Sequence, residues 1–221
     1  MGKPLAAIQA AITPERLSTY RAHVGGDLDA AVRLYEWNAS ASAAFWLDIG
    51  HVEVLVRNAM HRQLSVWTIS HHGHHRLCDD PGRVLTPHHR EDIATARRRL
   101  DRAGKQDDPG RIVAELGFGF WRYMLASHYD RTLWKPILSH SFPGQPRRRP
   151  LYEKMTRLHR LRNSLAHHEP IHRLPLGQLL GDMMTVMEWL DPDLQSWVAS
   201  QSNARFMLTS RPSSGPADHA T

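Results

Sequence analysis

Helix start signals recur along this chain, and nothing in it has the pattern of a strand. Thr86 followed by Pro87, and Asp108 followed by Pro109, each pair a capping side-chain oxygen with a residue whose fixed φ suits a helix's first turn. Asp27 offers the same cap to the run LDAAVRLYEWNASASAAFW, and a further helix is predicted to start near Asp48 and to carry HVEVLVRNAMHRQLSVW. Alternating runs rich in Val, Ile and Thr, which a half-buried strand needs, are missing. The pattern predicts an all-α fold of roughly seven helices.

The rest of the chain fits that scheme. HHREDIATARRRLDRAG is predicted as a charged, largely exposed helix that ends at Gly104. PGRIVAELGFGFWRYMLASHY is predicted as a helix broken or bent at Gly117 and Gly119. HHGHHRLCDDP, from His71 to Pro81, has the Gly, Asp and Pro content of a loop. SFPGQPRRRP, from Ser141 to Pro150, is a basic linker into the helix LYEKMTRLHRLRNSLAHHE, which Pro170 stops. Two more helices follow, over 176–190 and 192–199, and the tail from Ser210 is expected to be disordered. Residues 1–209 are expected to form one domain, with 210–221 as its tail.

Composition narrows the function classes. At 221 residues and 41% apolar, the chain can build one sizeable core. No run approaches the ~18 uninterrupted apolar residues of a membrane span. The N-terminus lacks the small-residue cleavage site of a secretory signal, so no membrane partner and a cytoplasmic location are expected. A single cysteine, Cys78, excludes an internal disulfide and a cysteine-based zinc site. With 28 Lys and Arg against 22 Asp and Glu, the net charge of +6 favours polyanionic partners such as nucleic acid.

The helix after the basic linker carries the most informative residues. With Leu151 at zero and ~100° per residue, Met155, Leu158 and Leu165 fall within ~40° of it, and Arg162 falls at ~20°. A guanidinium in the centre of an apolar stripe is costly unless it is paired or opens onto a cleft. It either snorkels to water, meets a buried carboxylate, or serves chemistry. Asn163 and His167 are four apart and share a face, so the amide could orient the imidazole.

Arg162 to His167 spell R-N-S-L-A-H. This resembles the signature of HEPN ribonucleases, and LRNSLAHHEPI resembles the Abi-like (abortive infection) branch. YEWNASASAAFWLDIGHVEVLVRNAMHRQL and AELGFGFWRYML are similar to the earlier parts of that branch, in the same order. The resemblance spans roughly residues 30 to 195. It implies a HEPN-type antiparallel helical bundle with additional peripheral helices. It also implies RNA cleavage without metal or cofactor, leaving 2′,3′-cyclic phosphate and 5′-hydroxyl ends. His167 would transfer the proton, Arg162 stabilise the phosphoryl charge, and Asn163 position. The implied setting is antiphage defence or a toxin–antitoxin system, with a homodimer as the active unit and a non-coding RNA or antitoxin as a further partner.

Other residues are weighed beside the motif. Arg147, Arg148, Arg149, Arg157 and Arg160 form a basic track leading to it, either a phosphate path or a solvated face. His168, outside the minimal motif, is grouped with these RNA-facing residues. Glu53, Arg57 and His61, at intervals of four, and Asn58 beside them, form either a supporting polar network at the cleft or a surface stripe. The HHGHH stretch at 71–75 lacks tightly spaced carboxylates or thiolates for a metal site. Trp121, Trp134 and Trp189 are expected in the core. Two rivals stand beside the ribonuclease: a non-catalytic RNA-binding or protein-interaction module, and a metal-dependent nuclease using the histidine clusters. The intact Arg162, Asn163 and His167 argue against the first, and the scarcity of grouped carboxylates against the second.

Overall fold

The computed structural model describes residues 2–74, 76–80, 82–145 and 147–212. Among them the chain is all-helical, without strands. The helices are α1 (Gly2–Ile12), α2 (Pro14–His23), α3 (Leu28–His72), α4 (Pro87–Arg102), α5 (Pro109–Glu115), α6 (Phe118–Tyr123), α7 (Arg148–Ala166), α8 (Leu176–Leu190), α9 (Pro192–Gln201) and α10 (Ala204–Thr209).

α3 is the spine. Its 45 residues span about 68 Å at ~1.5 Å per residue. Asp27 caps its start, with the carboxylate accepting from the Ala30 N–H at 3.0 Å, and Gly73 ends it in the left-handed conformation. The expected division near Asp48 does not occur. No proline interrupts the run, and the Asp48 carboxylate accepts from the Ser202 hydroxyl at 2.6 Å instead of capping a new helix. Phe45, Ile49, Val52, Val56, Met60 and Leu64 run along its buried side. By length and composition α3 could cross a membrane, but these are the residues that line the core. α2, α7, α8 and α10 pack along it, and α7 packs against α8.

The capped starts hold. Thr86 accepts from the His89 N–H and Asp108 from the Arg111 N–H, each followed by proline. α4 stops at Arg102, and the chain turns through Gly104 at φ 63°. Between α5 and α6 the backbone is extended at Leu116 and Gly117, as the glycine pair predicted. Gly119 also lets α7 approach closely, since a Cβ there would meet His159 Nε2 at 3.2 Å. The expected helix does not run on through LASHY, because residues 127–141 wind into short 3-10 and π turns. α1, α2 and α10 add three helices to those expected. Trp121 and Trp134 are buried, and Trp189 packs half-buried against the core. The tail beyond Pro212 lies outside the described residues.

Candidate active site

α7 carries the motif and is anchored by its apolar stripe. Pro150 sits in the first turn, where its missing N–H has no intrahelical partner to lose. The predicted linker is thus shorter than expected, and Arg148 and Arg149 are already helical. Leu151, Met155, Leu158, Leu161 and Leu165 are buried, each worth about 1.5–3 kcal/mol.

Arg162 leaves this stripe toward α3. Its Nε lies 3.7 Å from Glu53 Oε2, and its guanidinium carbon stands 5.8 Å from the centre of the Trp46 ring. An ion pair at that separation is too long for a hydrogen bond. Nε is buried without a partner. The carboxylate therefore holds the guanidinium in place without taking up its donors.

The end of α7 has a Schellman form. His168 N–H donates to Leu165 O at 3.1 Å, and Glu169 N–H donates to Ser164 O at 2.8 Å. This geometry puts His168 at φ 54°, a position that glycine usually fills. Arg16 of α2 donates to the His168 carbonyl and ties that turn down. His167 is the C-cap residue and is exposed. Its N–H donates to the Asn163 carbonyl at 3.0 Å. Asn163 thus meets His167 through the main chain, and among the described residues its amide makes no hydrogen bond to the imidazole. Nor does any hydrogen bond join Arg162 to His167.

Beside this helix end lies a cleft of about 630 Å³. Arg16 and Tyr20 of α2, Tyr35, Asn38 and Trp46 of α3, and His168 line it. Tyr20 is fully buried, and its hydroxyl has no partner. Burial raises its pKa, while the Arg16 charge pulls the other way. Behind Tyr20 is His172, buried and stacked on the Tyr20 ring at 4.7 Å. Burial, with the nearby His23, lowers its pKa to about 4, and neither ring nitrogen is hydrogen-bonded. Asn38 Oδ1 accepts from the Ile171 and His172 N–H groups at 2.9 and 3.0 Å, which ties the segment after α7 to α3.

The other residues singled out are spread more widely. Glu53 reaches α7, whereas Arg57 donates to its neighbour Asn58 at 3.2 Å and His61 meets Ser65 at 3.3 Å. The basic track divides. Arg148 donates to the Leu125 carbonyl and pairs with Asp130, and Arg157 pairs with buried Asp182 at 2.6 Å, alongside Lys154 at 2.7 Å. Both arginines are engaged within the fold. Arg147 and Arg160 are exposed, and Arg149 is exposed while pairing with Glu153 four residues on. His71 and His72 close the last turn of α3 and pack around Trp67, rather than lying in a loop. His75 lies outside the described residues. Among those described, no three His, Cys, Asp or Glu are grouped to hold a metal ion.

Trp46, Arg16, Tyr20 and His159 were missed in the sequence. Trp46 stands seven residues before Glu53, two turns along the same face of α3, and that spacing could have found it. His159 stacks on Phe118 at 5.8 Å, and burial, then Arg122 and Arg162, lower its pKa. Arg16 and Tyr20 arrive through tertiary packing of α2, which no local pattern announces. Fold and site together define an all-helical protein with a cationic helix end beside an aromatic cleft. No protein-family model, no curated protein and no solved structure matches the chain.

Proposed function

We propose that this chain is a metal-independent endoribonuclease of HEPN type, acting in antiphage defence or a toxin–antitoxin system. The observation that carries the proposal is Arg162: a partly exposed guanidinium in an apolar stripe, held by Glu53 and Trp46, with no side-chain hydrogen bond among the described residues. A guanidinium held in place with its outer N–H groups free is what an incoming phosphoryl oxygen requires. The exposed imidazole of His167 stands at the same helix end.

The chemistry follows from those groups. The RNA 2′-oxygen attacks the adjacent phosphorus, the bond from phosphorus to the 5′-oxygen breaks, and a proton passes from O2′ to O5′. Imidazole carries protons at neutral pH, and the guanidinium stabilises charge building on the phosphoryl oxygens. Only RNA supplies the internal nucleophile.

The active unit is a homodimer. On an ideal helix Arg162 and His167 point ~140° apart with ~7.5 Å of rise between them, and here one faces α3 while the other faces solvent. A second copy across a two-fold axis supplies the missing half. Leu47 and Val54, seven residues apart on one face of α3, are exposed apolar side chains suited to that contact. A small non-coding RNA or antitoxin is the proposed restraint on the site, and the cytoplasm its compartment.

The test is incubation of the purified chain with transfer and total RNA in excess EDTA, followed by mapping of the ends. Cyclic phosphate and 5′-hydroxyl ends are expected, and a 2′-deoxy substitution at the cut should block cleavage. Activity lost in EDTA and restored by zinc or manganese would transfer the chemistry to the histidine clusters. Light scattering should report about twice 25.2 kDa, and specific activity should fall on dilution.

A further inference from the structure

We infer that the cleft beside Arg162 is a base-binding subsite, which holds one nucleobase of a single RNA strand with its phosphate directed to Arg162. The inference rests on the ribonuclease reading for the identity of the strand, but its geometry is independent of cleavage. Four observations support it.

The volume, about 630 Å³, lies within the ~300–1,000 Å³ of small-molecule sites and accommodates a nucleotide. Two aromatic rings, Tyr35 and Trp46, line it, and Trp46 is 47% exposed at the lip. Exposed single-stranded bases are recognised by stacking on such rings, together with hydrogen bonds to their edges. Tyr20 supplies an edge contact, because it lines the cleft and its hydroxyl is buried with no hydrogen-bond partner among the described residues. A base carbonyl or ring nitrogen would satisfy it. The charge favours a phosphate at the Trp46 end: Arg162 packs over that outer ring, whereas Arg16 on the α2 wall shares the cleft with Glu169. A phosphate beside Trp46 would meet the exposed part of the Arg162 guanidinium while its base enters the cleft.

The two ends of the cleft differ in what they can select. The Trp46 end accepts any base, since every base has a π-face. The Tyr20 end discriminates, since a hydroxyl distinguishes bases by the groups on their edge. Tyr20 is therefore the specificity residue, and Trp46 the general platform.

The experiment titrates the full chain with the four nucleoside 3′-monophosphates and ribose 3-phosphate, and follows binding by calorimetry. One base should bind at least ~10-fold tighter than the others, and all four more tightly than ribose phosphate. Tyr20→Phe removes only an unpartnered hydroxyl, so the fold should survive, as a thermal melt will verify, and the preference should shrink to within ~3-fold. Ala39→Phe, on the exposed α3 wall of the cleft, should weaken every base by ~10-fold or more with helicity unchanged. Equal binding of all ligands, or binding indifferent to Ala39→Phe, would overturn the subsite.

A second arm maps cuts in a randomised RNA oligonucleotide. If the base preferred beside the cut matches the preferred monophosphate, the occupant is a base of the RNA strand. If cuts occur without that match, the RNA assignment fails and a free nucleotide is the occupant. Monophosphate preference with no RNA cleavage at all would sink the ribonuclease reading alone and leave the base pocket standing.

Discussion

Two buried histidines in this molecule are treated in opposite ways. His89, on α4, is fully buried, with Nδ1 at 2.7 Å from the Tyr129 hydroxyl and 3.1 Å from Thr86 Oγ1, and Nε2 at 3.1 Å from the Phe120 carbonyl. The ring is a joint fastening α4 to α6 and to the turn that follows. His172 is equally buried, yet among the described residues neither of its nitrogens is hydrogen-bonded, and the same holds for the hydroxyl of the Tyr20 ring it packs on and for Arg162 Nε on α7. In the first region the fold consumes its polar groups. In the second it leaves them open, at a cost in stability that an ordinary structural interior avoids. The difference separates a part of the protein built to stay closed from a part built to receive something.

The sharpest test of that contrast is at the helix end itself. Arg162→Ala and His167→Ala should each reduce RNA cleavage by roughly 10²–10⁴-fold. The unfolding midpoint should hardly move, because His167 is exposed, the Arg162–Glu53 pair is long and partly exposed, and neither side chain makes a hydrogen bond among the described residues. An Arg162→Ala variant that melts early would place Arg162 among the structural groups with His89 and break the comparison.

Acid should act on both histidines alike. Burial lowers each pKa to about 4, below the ~6.5 of an unfolded chain. Between those values the unfolded state binds more protons, so stability rises with pH. Stability should therefore be intact above pH ~6.5 and fall as pH drops toward 4, by at most about 1.4 kcal/mol per pH unit for each histidine. Urea titrations at a series of pH values measure this. A flat profile across that window would mean that neither ring stays neutral in the fold.

Substitution should then tell the two apart. His89→Ala removes the joint and opens a cavity between α4, α6 and Tyr129, at a cost of roughly 3 kcal/mol. His172→Phe keeps the stack on Tyr20 and removes two unsatisfied nitrogens, so its effect should lie within about 1 kcal/mol and could be stabilising. Equal destabilisation in chemical denaturation would remove the distinction.

Much of this was readable before the structure. The caps at Thr86 and Asp108, the bounds of α8 and the glycine break between α5 and α6 are local chemistry, and they were found where that chemistry is. Thr13 followed by Pro14 is the same signal, and it does start α2, with Thr13 accepting from the Arg16 N–H. It was legible and was passed over. Asp48 misled for the opposite reason. An aspartate before an apolar run is a capping candidate, but this one is claimed by Ser202, 154 residues away. The same limit applies to the site. The wheel put Arg162 in the apolar stripe and required a partner or a cleft; it has the partner, and a cleft lies next to it across Trp46. That the partner would be Glu53, the ring Trp46 and the far wall Tyr20 depends on how α2 and α3 lie against α7, and short-range periodicity carries no such information. The basic run likewise looked uniform, because the carboxylates that occupy Arg148 and Arg157 come from other segments.

The reach of α3 has a consequence for how the protein is made. All 45 of its residues leave the ribosome before α7, α8 and α10, which pack along it. Trp37 waits for the Met207 carbonyl, which its indole N–H meets at 2.8 Å, and Asp48 waits for Ser202. More than 150 residues lie between the two partners of each contact. The same stretch supplies Tyr20, Tyr35 and Trp46, while Arg162 and His167 are synthesised more than a hundred residues later. A nascent chain therefore carries a long apolar helix with only α2 against it, an invitation to chaperones, and it holds no complete cleft until α7 has been made. For a protein proposed to cut RNA, that order of assembly keeps the unfinished chain harmless to the transcript that encodes it.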